Sequence, residues 1–540
     1  MNERLYFDCS AMIGKRGPKD QETRFETEVL LEEMEWSGIH GALVAHWTGK
    51  EYDPSYGNRK LLRELKKSAR LHGVWSVMPH HTGEMLPPRD VVQEMRDNGI
   101  RAAKMYPRTH HYFFNEDTCG GLLSAFEEEN ILLLVEGGAM YAPDIFDANN
   151  QVLLSELDAA MSCHPRLRVL LLGSRWEATR YLHTLMAKHE NLYLEFSNHQ
   201  ANHALEVYSG WFGTERLLLG TGALDKSMGA AKAFVDYCTL TDKQKDLIAG
   251  KNLAGLLRLD SLPGPYPAQS VRDPILRAAK AGKALSDVLI IDAHAHISHE
   301  GAQGTGFMHQ PFSDAPSMVE RAKTMGISTA CISAWIGVWS DYEEGNEIVH
   351  DAMRRFPRFY RGYATLQPQY VKDWKREIAK VHGRYRMGGL KPYFPRTGLA
   401  YSHPGWAPWL EFGNRHRCYT LIHPSDNFVA DMNNLIPRYP DMWFILAHSG
   451  GSFGAARDGI EIARKFPNVS LEITLTSVTY RVIEFMVDHV GADRVLFGTD
   501  QPMRDPIPQF GWVAYAHCTP AQKRKIFGEN MRAILRRVRW

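Results

Sequence analysis

The chain has 540 residues, of which 44% are hydrophobic and 23% are charged, and its formal net charge is +1. Single hydrophobic cores stop growing at roughly 250 to 300 residues, so this length predicts two domains. The balanced charge argues against binding to nucleic acid or to a membrane surface. No apolar run approaches the roughly 20 residues that a membrane-spanning helix needs. We therefore expect a cytoplasmic protein whose partner is a small molecule.

Short apolar runs in the first half of the chain recur, in the same order, in the second half. LYFDCSAMIG (5–14) corresponds to LIIDAHAHIS (289–298), and ERLLLGTGA (215–223) corresponds to DRVLFGTDQ (493–501). Three further pairs lie between them: GIRAAKMYP (99–107) with GGLKPYFP (388–395), ILLLVEGG (131–138) with CYTLIHPS (418–425), and NLYLEFS (191–197) with NVSLEIT (468–474). The pattern predicts a tandem duplication of one fold.

Within each copy, runs rich in Val, Ile and Leu alternate with amphipathic segments of helix length. This is typical of parallel β/α architecture, because strands covered on both faces need not alternate in polarity. About 250 residues per copy favours an α/β fold of two (β/α)₈ TIM-like barrels in tandem. The three prolines of SLPGPYPAQS (261–270) indicate a linker. We place the domains at 1–260 and 288–540, with the linker at 261–287.

The second copy places histidines and an aspartate where predicted strands end. His294 and His296 of the DAHAH motif lie two residues apart and point to the same side of a strand. His423, His448 and Asp500 each close a further apolar run. Any one of these histidines is compatible with an ordinary packed side chain. Active sites of such barrels form at the carboxyl ends of the strands, so five polar strand ends together predict a site there.

These motifs, together with GGLKPYFP and FGTDQP, resemble the amidohydrolase superfamily. The closest resemblance is to its amidohydrolase-related branch of metal-dependent hydrolases, lactonases and nonoxidative decarboxylases. It covers nearly all of residues 288–540. The resemblance implies that three imidazoles and one carboxylate bind a metal ion: His294, His296, His423 and Asp500. It also implies that Asp500 handles protons and that His448 is either a catalytic residue or a further ligand.

Such a ligand set suits one divalent ion, with zinc as the first choice and manganese as the alternative. Bound zinc can lower the pKa of its water to about 7, which provides a nucleophile at neutral pH. Binuclear members of the superfamily bridge two metals with a carboxylated lysine, and Lys391 occupies that strand. Its counterpart Lys104 is kept in the first copy, so we expect Lys391 to be structural and the centre to hold one metal.

Three residues near the predicted mouth of the barrel are candidates for substrate binding. Tyr393 and Arg396 follow the strand of Lys391, and Arg504 follows the strand of Asp500. Arginine would bind a carboxylate group of the substrate in a bidentate manner. Surface ion pairs are the alternative role for the two arginines.

The first copy has different residues at all five positions of the proposed site. Alignment places Ser10, Met12, Glu136, Gly173 and Gly222 opposite the four histidines and the aspartate. Methionine and glycine offer a poor metal site, and one carboxylate does not replace the imidazoles. We interpret this half as a pseudoenzyme domain that forms an internal pseudo-dimer with the second half. Further homo-oligomerisation is left open.

The leading functional hypothesis is hydrolysis of an amide, ester or lactone bond in a small carboxylated substrate by a metal-activated water. The alternative is metal-dependent nonoxidative decarboxylation of an aromatic or unsaturated acid. The two share one fold and one ligand set, which do not distinguish between them. A non-catalytic binding protein is the third hypothesis.

Overall fold

A computed structural model describes residues 4–17, 20–137, 151–261, 272–306 and 308–540. The chain forms two compact units, one ending at Ser270 and one beginning at Val271, and the short segment Gly306–His309 groups with the first unit. Residues 262–271 of the predicted linker lie outside the described residues. The remainder of that linker contains a helix, Pro274–Lys280.

The described residues of the first unit form nine strands in two parallel sheets. One sheet has the order β1-β2-β3 and the other has the order β4-β5-β6-β7-β8-β9. The strands are β1 (Phe7–Ile13), β2 (Gly41–His46), β3 (Leu71–Gly73), β4 (Trp75–Val77), β5 (Ala102–Met105), β6 (Leu132–Glu136), β7 (Val169–Leu172), β8 (Leu192–Glu195) and β9 (Leu217–Leu218).

The sequence predicted a second eight-stranded barrel for this unit. The described strands form a three-stranded and a six-stranded sheet instead, so a second closed barrel is not shown. The strand ladder is interrupted at Val74, because β3 pairs with β2 whereas β4 pairs with β5. Two backbone hydrogen bonds nevertheless join β1 to the region around β9. The amide of Cys9 donates to the Leu219 carbonyl at 2.9 Å, and the amide of Met12 donates to the Ala223 carbonyl at 2.8 Å.

Helices connect these strands as a β/α alternation requires. They are α1 (Thr27–Ser37), α2 (Trp47–Glu51), α3 (Pro54–Leu65), α4 (Pro88–Asp97), α5 (Glu116–Glu129), α6 (Leu154–Cys163), α7 (Thr179–Lys188), α8 (Ala204–Phe212), α9 (Met228–Tyr237), α10 (Asp242–Asp246) and α11 (Asn252–Leu256). The Thr241 hydroxyl caps α10 by accepting a hydrogen bond from the Gln244 amide.

The second unit is a parallel barrel of eight strands in sequence order, which confirms the fold predicted for this half. The strands are β10 (Ile291–Ile297), β11 (Thr329–Ala334), β12 (Tyr360–Ala364), β13 (Gly389–Leu390), β14 (Tyr419–Ile422), β15 (Trp443–Leu446), β16 (Val469–Glu472) and β17 (Val495–Leu496). The first strand meets the last one: Ala293 N donates to Phe497 O at 3.0 Å, and Ala295 bridges Gln501.

Helices of the second unit begin with α12 (Pro274–Lys280) and surround the barrel. The others are α13 (Ala315–Lys323), α14 (Trp335–Trp339), α15 (Tyr342–Arg355), α16 (Trp374–Ile378), α17 (Phe394–Thr397), α18 (Ala407–Arg415), α19 (Phe428–Leu435), α20 (Phe453–Lys465), α21 (Val482–Val490), α22 (Pro506–Tyr515), α23 (Pro520–Arg524) and α24 (Asn530–Leu535). Thr519 caps α23 in the same way, by accepting a hydrogen bond from the Gln522 amide. Among the described residues, no helix is long and apolar enough to cross a membrane.

Candidate active site

The five strand-end residues of the second unit line one cavity of about 350 Å³. Two of them, His294 and His296, lie within β10. The other three follow the ends of β14, β15 and β17: His423, His448 and Asp500. Parallel strands end at one rim of a barrel, and for this reason residues far apart in sequence meet there.

Each imidazole of this cavity is oriented through its Nδ1 atom. His294 Nδ1 lies 3.0 Å from Glu472 Oε2, and His296 Nδ1 lies 2.9 Å from the Ser333 hydroxyl. His448 Nδ1 lies 2.8 Å from the Thr474 carbonyl oxygen, and His423 Nδ1 lies 3.1 Å from the carbonyl oxygen of the next residue. A carboxylate or carbonyl at Nδ1 places the proton there, which leaves the Nε2 lone pair for a metal ion.

Three potential ligand atoms come especially close together. Single ligand atoms of His294, His296 and Asp500 all lie within 4.8 Å of one another. Asp500 Oδ1 is 3.5 Å from Nε2 of the first histidine and 3.2 Å from Nε2 of the second. His448 belongs to a second such group, with His294 and Glu472, whereas His423 is in neither group. Its ring centre lies 4.8 Å from that of His448.

The charge states of these residues match those that metal ligands need. Burial lowers the pKa of His294 well below its ordinary value and lowers the pKa of His448 to about 4, so both rings are neutral at pH 7. Burial raises the pKa of Asp500, but the Arg504 guanidinium and the nearby imidazoles outweigh it and hold that pKa well below 3.8. Neutral imidazoles and an ionised carboxylate are the forms that bind divalent ions.

Two cations also line the cavity. The Arg504 side chain donates from Nε to the Thr476 hydroxyl and from Nη1 to Asp500 Oδ2. Lys391, which is fully buried, places Nζ 3.3 Å from His294 Nε2. Burial lowers the pKa of this lysine to about 8.

The remaining wall is mostly apolar and aromatic. The Trp335 ring stacks on His296 with a centroid distance of 4.0 Å. Tyr393 lines the cavity, as predicted for a substrate contact, together with Leu475 and Met503. Such a wall favours a flat, partly apolar ligand.

Arg396 is placed differently from the other two candidates for substrate binding. It is exposed, and its guanidinium lies 3.9 Å from the centre of the Trp339 ring. It does not belong to the residues that line the cavity. A cation–π contact at the rim accounts for its position.

Sequence reasoning missed Glu472, which ends β16 and orients His294. Its carboxylate also accepts hydrogen bonds from the backbone amides of His448 and Thr474. A signal was available, since the glutamate recurs in NLYLEFS and NVSLEIT, as Glu195 and Glu472. The polar neighbours Ser333 and Thr474 had no such signal.

The first unit has a smaller cavity, of about 90 Å³, at the corresponding strand ends. Its lining includes the five residues aligned with the proposed site, namely Ser10, Met12, Glu136, Gly173 and Gly222. Glu136 is held between two ammonium groups, at 2.5 Å from Lys104 and 2.8 Å from Lys50. An internal ion cluster therefore occupies the place that imidazoles occupy in the second unit.

The backbone at two of these positions has the same unusual conformation in both units. His448 and Asp500 have φ of 62° and 56°, and Gly173 and Gly222 have φ of 67° and 65°. Left-handed backbone costs a residue with a Cβ roughly 1–2 kcal/mol but costs glycine little. The second unit thus tolerates strain at two residues of its cavity, which is typical of functional sites.

Comparison with known proteins agrees with this geometry. The family model described as Amidohydrolase matches residues 291–537. The second unit thus matches the amidohydrolase family model over nearly all of its length, in agreement with the sequence motifs. The family that this model describes is a family of enzymes. No curated protein matches the chain.

Several solved structures are similar to this chain over less than half of its length. They include a 2,6-dihydroxybenzoate decarboxylase from Rhizobium (14% identity, TM-score 0.37, covering 46% of this chain and 99% of that chain). A 5-carboxyvanillate decarboxylase from Sphingomonas paucimobilis has 16% identity, a TM-score of 0.37 and the same coverage. Another from Novosphingobium aromaticivorans, complexed with manganese, has 14% identity, a TM-score of 0.38 and coverage of 47% and 98%.

Proposed function

We propose that the second unit is a metal-dependent nonoxidative decarboxylase of a small, flat carboxylic acid, either aromatic or unsaturated. The observation that carries this proposal is the engagement of both oxygens of Asp500, the only carboxylate among the described residues that line the cavity. Oδ2 accepts from Arg504, and Oδ1 faces Nε2 of His294 and His296. Neither oxygen is available as a base for a hydrolytic water, and decarboxylation needs no such base.

The donor set fits one divalent ion. His294, His296 and Asp500 would hold it, with His423 as the fourth ligand and zinc or manganese as the metal. When bound, the ion would act as a Lewis acid that stabilises negative charge on the substrate. The Nδ1 partners of the imidazoles keep their lone pairs directed toward the cavity.

The polar groups of the cavity are suited to an anionic substrate. Among the described residues, Arg504 Nη2 makes no hydrogen bond, although Nε and Nη1 are both occupied. That nitrogen can therefore bind a substrate oxygen beside Asp500. Trp335 and Tyr393 supply flat surfaces against which a planar acid can lie.

In the proposed reaction the bond between the carboxylate carbon and its neighbour breaks, and carbon dioxide leaves. The electron pair stays on the substrate carbon, which then takes up one proton. The proton comes from solvent, and His448 would relay it through Nε2, which carries a lone pair because Nδ1 donates to the Thr474 carbonyl.

The test is to supply hydroxybenzoates and unsaturated acids to the metal-loaded protein in D₂O. We expect release of carbon dioxide and one deuteron on the carbon that lost the carboxylate, both abolished by chelator. The same protein is offered esters, lactones and amides. Cleavage of one of these without carbon dioxide release would overturn the proposal in favour of hydrolysis.

Hydrolysis, the leading hypothesis from the sequence, is kept as the second candidate. The supporting observation is His448, whose Nε2 carries a lone pair on the cavity side and could take a proton from water. In that case a substrate carbonyl, rather than a carboxylate, would be the reacting group.

We also propose that residues 1–260 are a degenerate copy of the second unit, without a metal site. Paired contacts support this: Thr221 donates to Asp8 as Thr499 donates to Asp292. The two halves would form an internal pseudo-dimer, in which the first replaces a second chain. One metal equivalent per chain is expected, and two would contradict the proposal.

A residue donated by the first half would give the pseudo-dimer a catalytic role. Arg175 and Arg180 follow β7, at the strand position that carries His448 in the second unit. If replacing both with alanine left turnover and KM unchanged, no arginine of this pair would be donated.

A further inference from the structure

A buried lysine lies at the same place in both units, but its surroundings differ. Lys104 is in β5, and Lys391 directly follows β13. In the first unit the ammonium of Lys104 lies 2.5 Å from a carboxylate oxygen of Glu136. Its charge is therefore compensated by the protein itself.

In the second unit the position of Glu136 is taken by His423, a neutral imidazole. Among the described residues, no carboxylate oxygen lies within 4.0 Å of Lys391 Nζ. Its one hydrogen bond runs to His294 Nε2 at 3.3 Å, and the Tyr393 ring centre lies 5.7 Å away. Burying an ammonium ion without a close counterion is costly, so this position is expected to acquire an anionic partner.

That single hydrogen bond is incompatible with metal binding at the same nitrogen. Because Glu472 holds Nδ1 of His294, the ring offers one lone pair, at Nε2. A metal ion at Nε2 would displace Lys391 from it. This step rests on the proposed function, which makes His294 a metal ligand. The displaced ammonium would still line the cavity, where the carboxylate of Asp500 is already paired with Arg504 and would also bind the metal. A substrate carboxylate is then the acceptor that remains for Lys391.

We propose that Lys391 binds the carboxylate of the substrate and selects for anionic substrates. Arg504 would bind a second oxygen or a neighbouring polar group through Nη2. The role differs from a structural lysine, which would need its own carboxylate as Lys104 has. It also differs from a carboxylated lysine, which would be an anion and would hold a second metal.

The experiment compares two probes of the same shape, benzoate and its neutral analogue benzamide. Their dissociation constants are measured by titration calorimetry on the metal-loaded wild type and on Lys391→Met, with metal content determined for each. We expect benzoate to bind the variant at least tenfold more weakly, with benzamide changed less than twofold and one metal retained. Lys104→Met is the matched control, and neither affinity should change in it.

Lys391→Gln repeats the measurement with a side chain that keeps hydrogen-bond donors but carries no charge, in case methionine impairs folding. Unchanged benzoate affinity in both variants would overturn the proposal. Tighter binding of benzamide than of benzoate by the wild type would also overturn it. So would a wild type that holds two metal equivalents of which the Lys391 variants keep only one. Probe binding does not depend on turnover. Failure to release carbon dioxide would therefore contradict the proposed reaction, but the binding measurements would still test the role of Lys391.

Discussion

The cavities of the two units share a similar backbone framework but differ in their side chains. Histidines line the second cavity, and a lysine–glutamate ion pair lines the first. In both, a glutamate at the end of a strand accepts backbone hydrogen bonds from the neighbouring loops. Glu195 accepts from the amides of Gly173 and Ser197, and Glu472 accepts from those of His448 and Thr474. Only Glu472 also contacts an imidazole, at His294.

The difference separates residues that hold the strands in place from residues that serve a ligand. In the first cavity the charged groups pair with one another, as in the cluster of Lys50, Glu136 and Lys104. In the second cavity Arg504 also pairs with a carboxylate, that of Asp500, but Lys391 contacts the imidazole of His294 instead, and the imidazoles line the open cavity. Self-paired groups stabilise a fold, whereas groups left available at a cost to stability indicate binding.

The largest expected effect comes from removing the carboxylate of the second cavity. Asp500→Asn should lose bound metal and lower turnover by roughly a thousandfold or more, because a neutral amide replaces a charged ligand. Metal analysis and steady-state kinetics measure this. Asp225→Asn is the matched control, since Asp225 lines the first cavity and pairs with Arg16. Equal loss in both variants would mean that the cavities do not differ as described.

The next effect concerns stability of the first unit. Glu136→Gln should lower the free energy of unfolding by about 3 kcal/mol, because two ammonium groups then lie buried without a carboxylate. Denaturant titration measures it. A triple variant, Lys50→Met/Lys104→Met/Glu136→Leu, should lose less than the single one, since no charge remains buried. A larger loss in the triple variant would contradict this.

The same cluster predicts a pH dependence. Burial raises the pKa of Glu136, but Lys104 and Lys50 outweigh it and lower the pKa from 4.5 to about 2. A lowered pKa stabilises the folded state above the ordinary value, and that stability is lost as the pH falls from about 4.5 toward 2. The gap in unfolding free energy between wild type and Glu136→Gln should shrink over this range. A gap independent of pH would show that the carboxylate is not ion-paired.

A smaller effect on metal binding is expected from Glu472, which would act on the metal only through the imidazole of His294. Glu472→Gln should weaken metal binding by about 10- to 100-fold, because Nδ1 of His294 loses its charged partner. Competition with a chelating dye measures the affinity. Glu195→Gln in the first unit should leave metal affinity unchanged while lowering stability. If both variants bound metal as tightly as the wild type, the role of Glu472 would be limited to its hydrogen bonds with backbone amides.

The smallest effect concerns the left-handed backbone. Gly173→Ala should lower stability by about 1 kcal/mol, because its φ is 67°. Gly210→Ala, in the exposed part of α8 with open space at the added Cβ, should be neutral or slightly stabilising. Thermal unfolding compares them. A stabilised Gly173→Ala would mean that this position has no left-handed strain.

Much of the barrel and of the candidate site could be predicted from sequence. Apolar runs ending in His423, His448 or Asp500 indicated strand ends, and parallel strands bring their ends to one rim. Arg396 was expected near substrate on the same reasoning, but a loop residue can point either way, and this one points to Trp339. The expected second barrel was inferred from the alternation of apolar runs with amphipathic segments and from the length of the copy, and neither reports the interruption at Val74.

Residue order and periodicity are local properties, and they were enough to predict the strands of the second unit and its resemblance to the amidohydrolase family. Which side chains neutralise one another depends on contacts between distant segments. Lys104 and Lys391 look alike in the sequence, and only the folded chain places a carboxylate beside one and an imidazole beside the other. The charge left at Lys391 is therefore a product of packing, because a counterion is defined by distance in space.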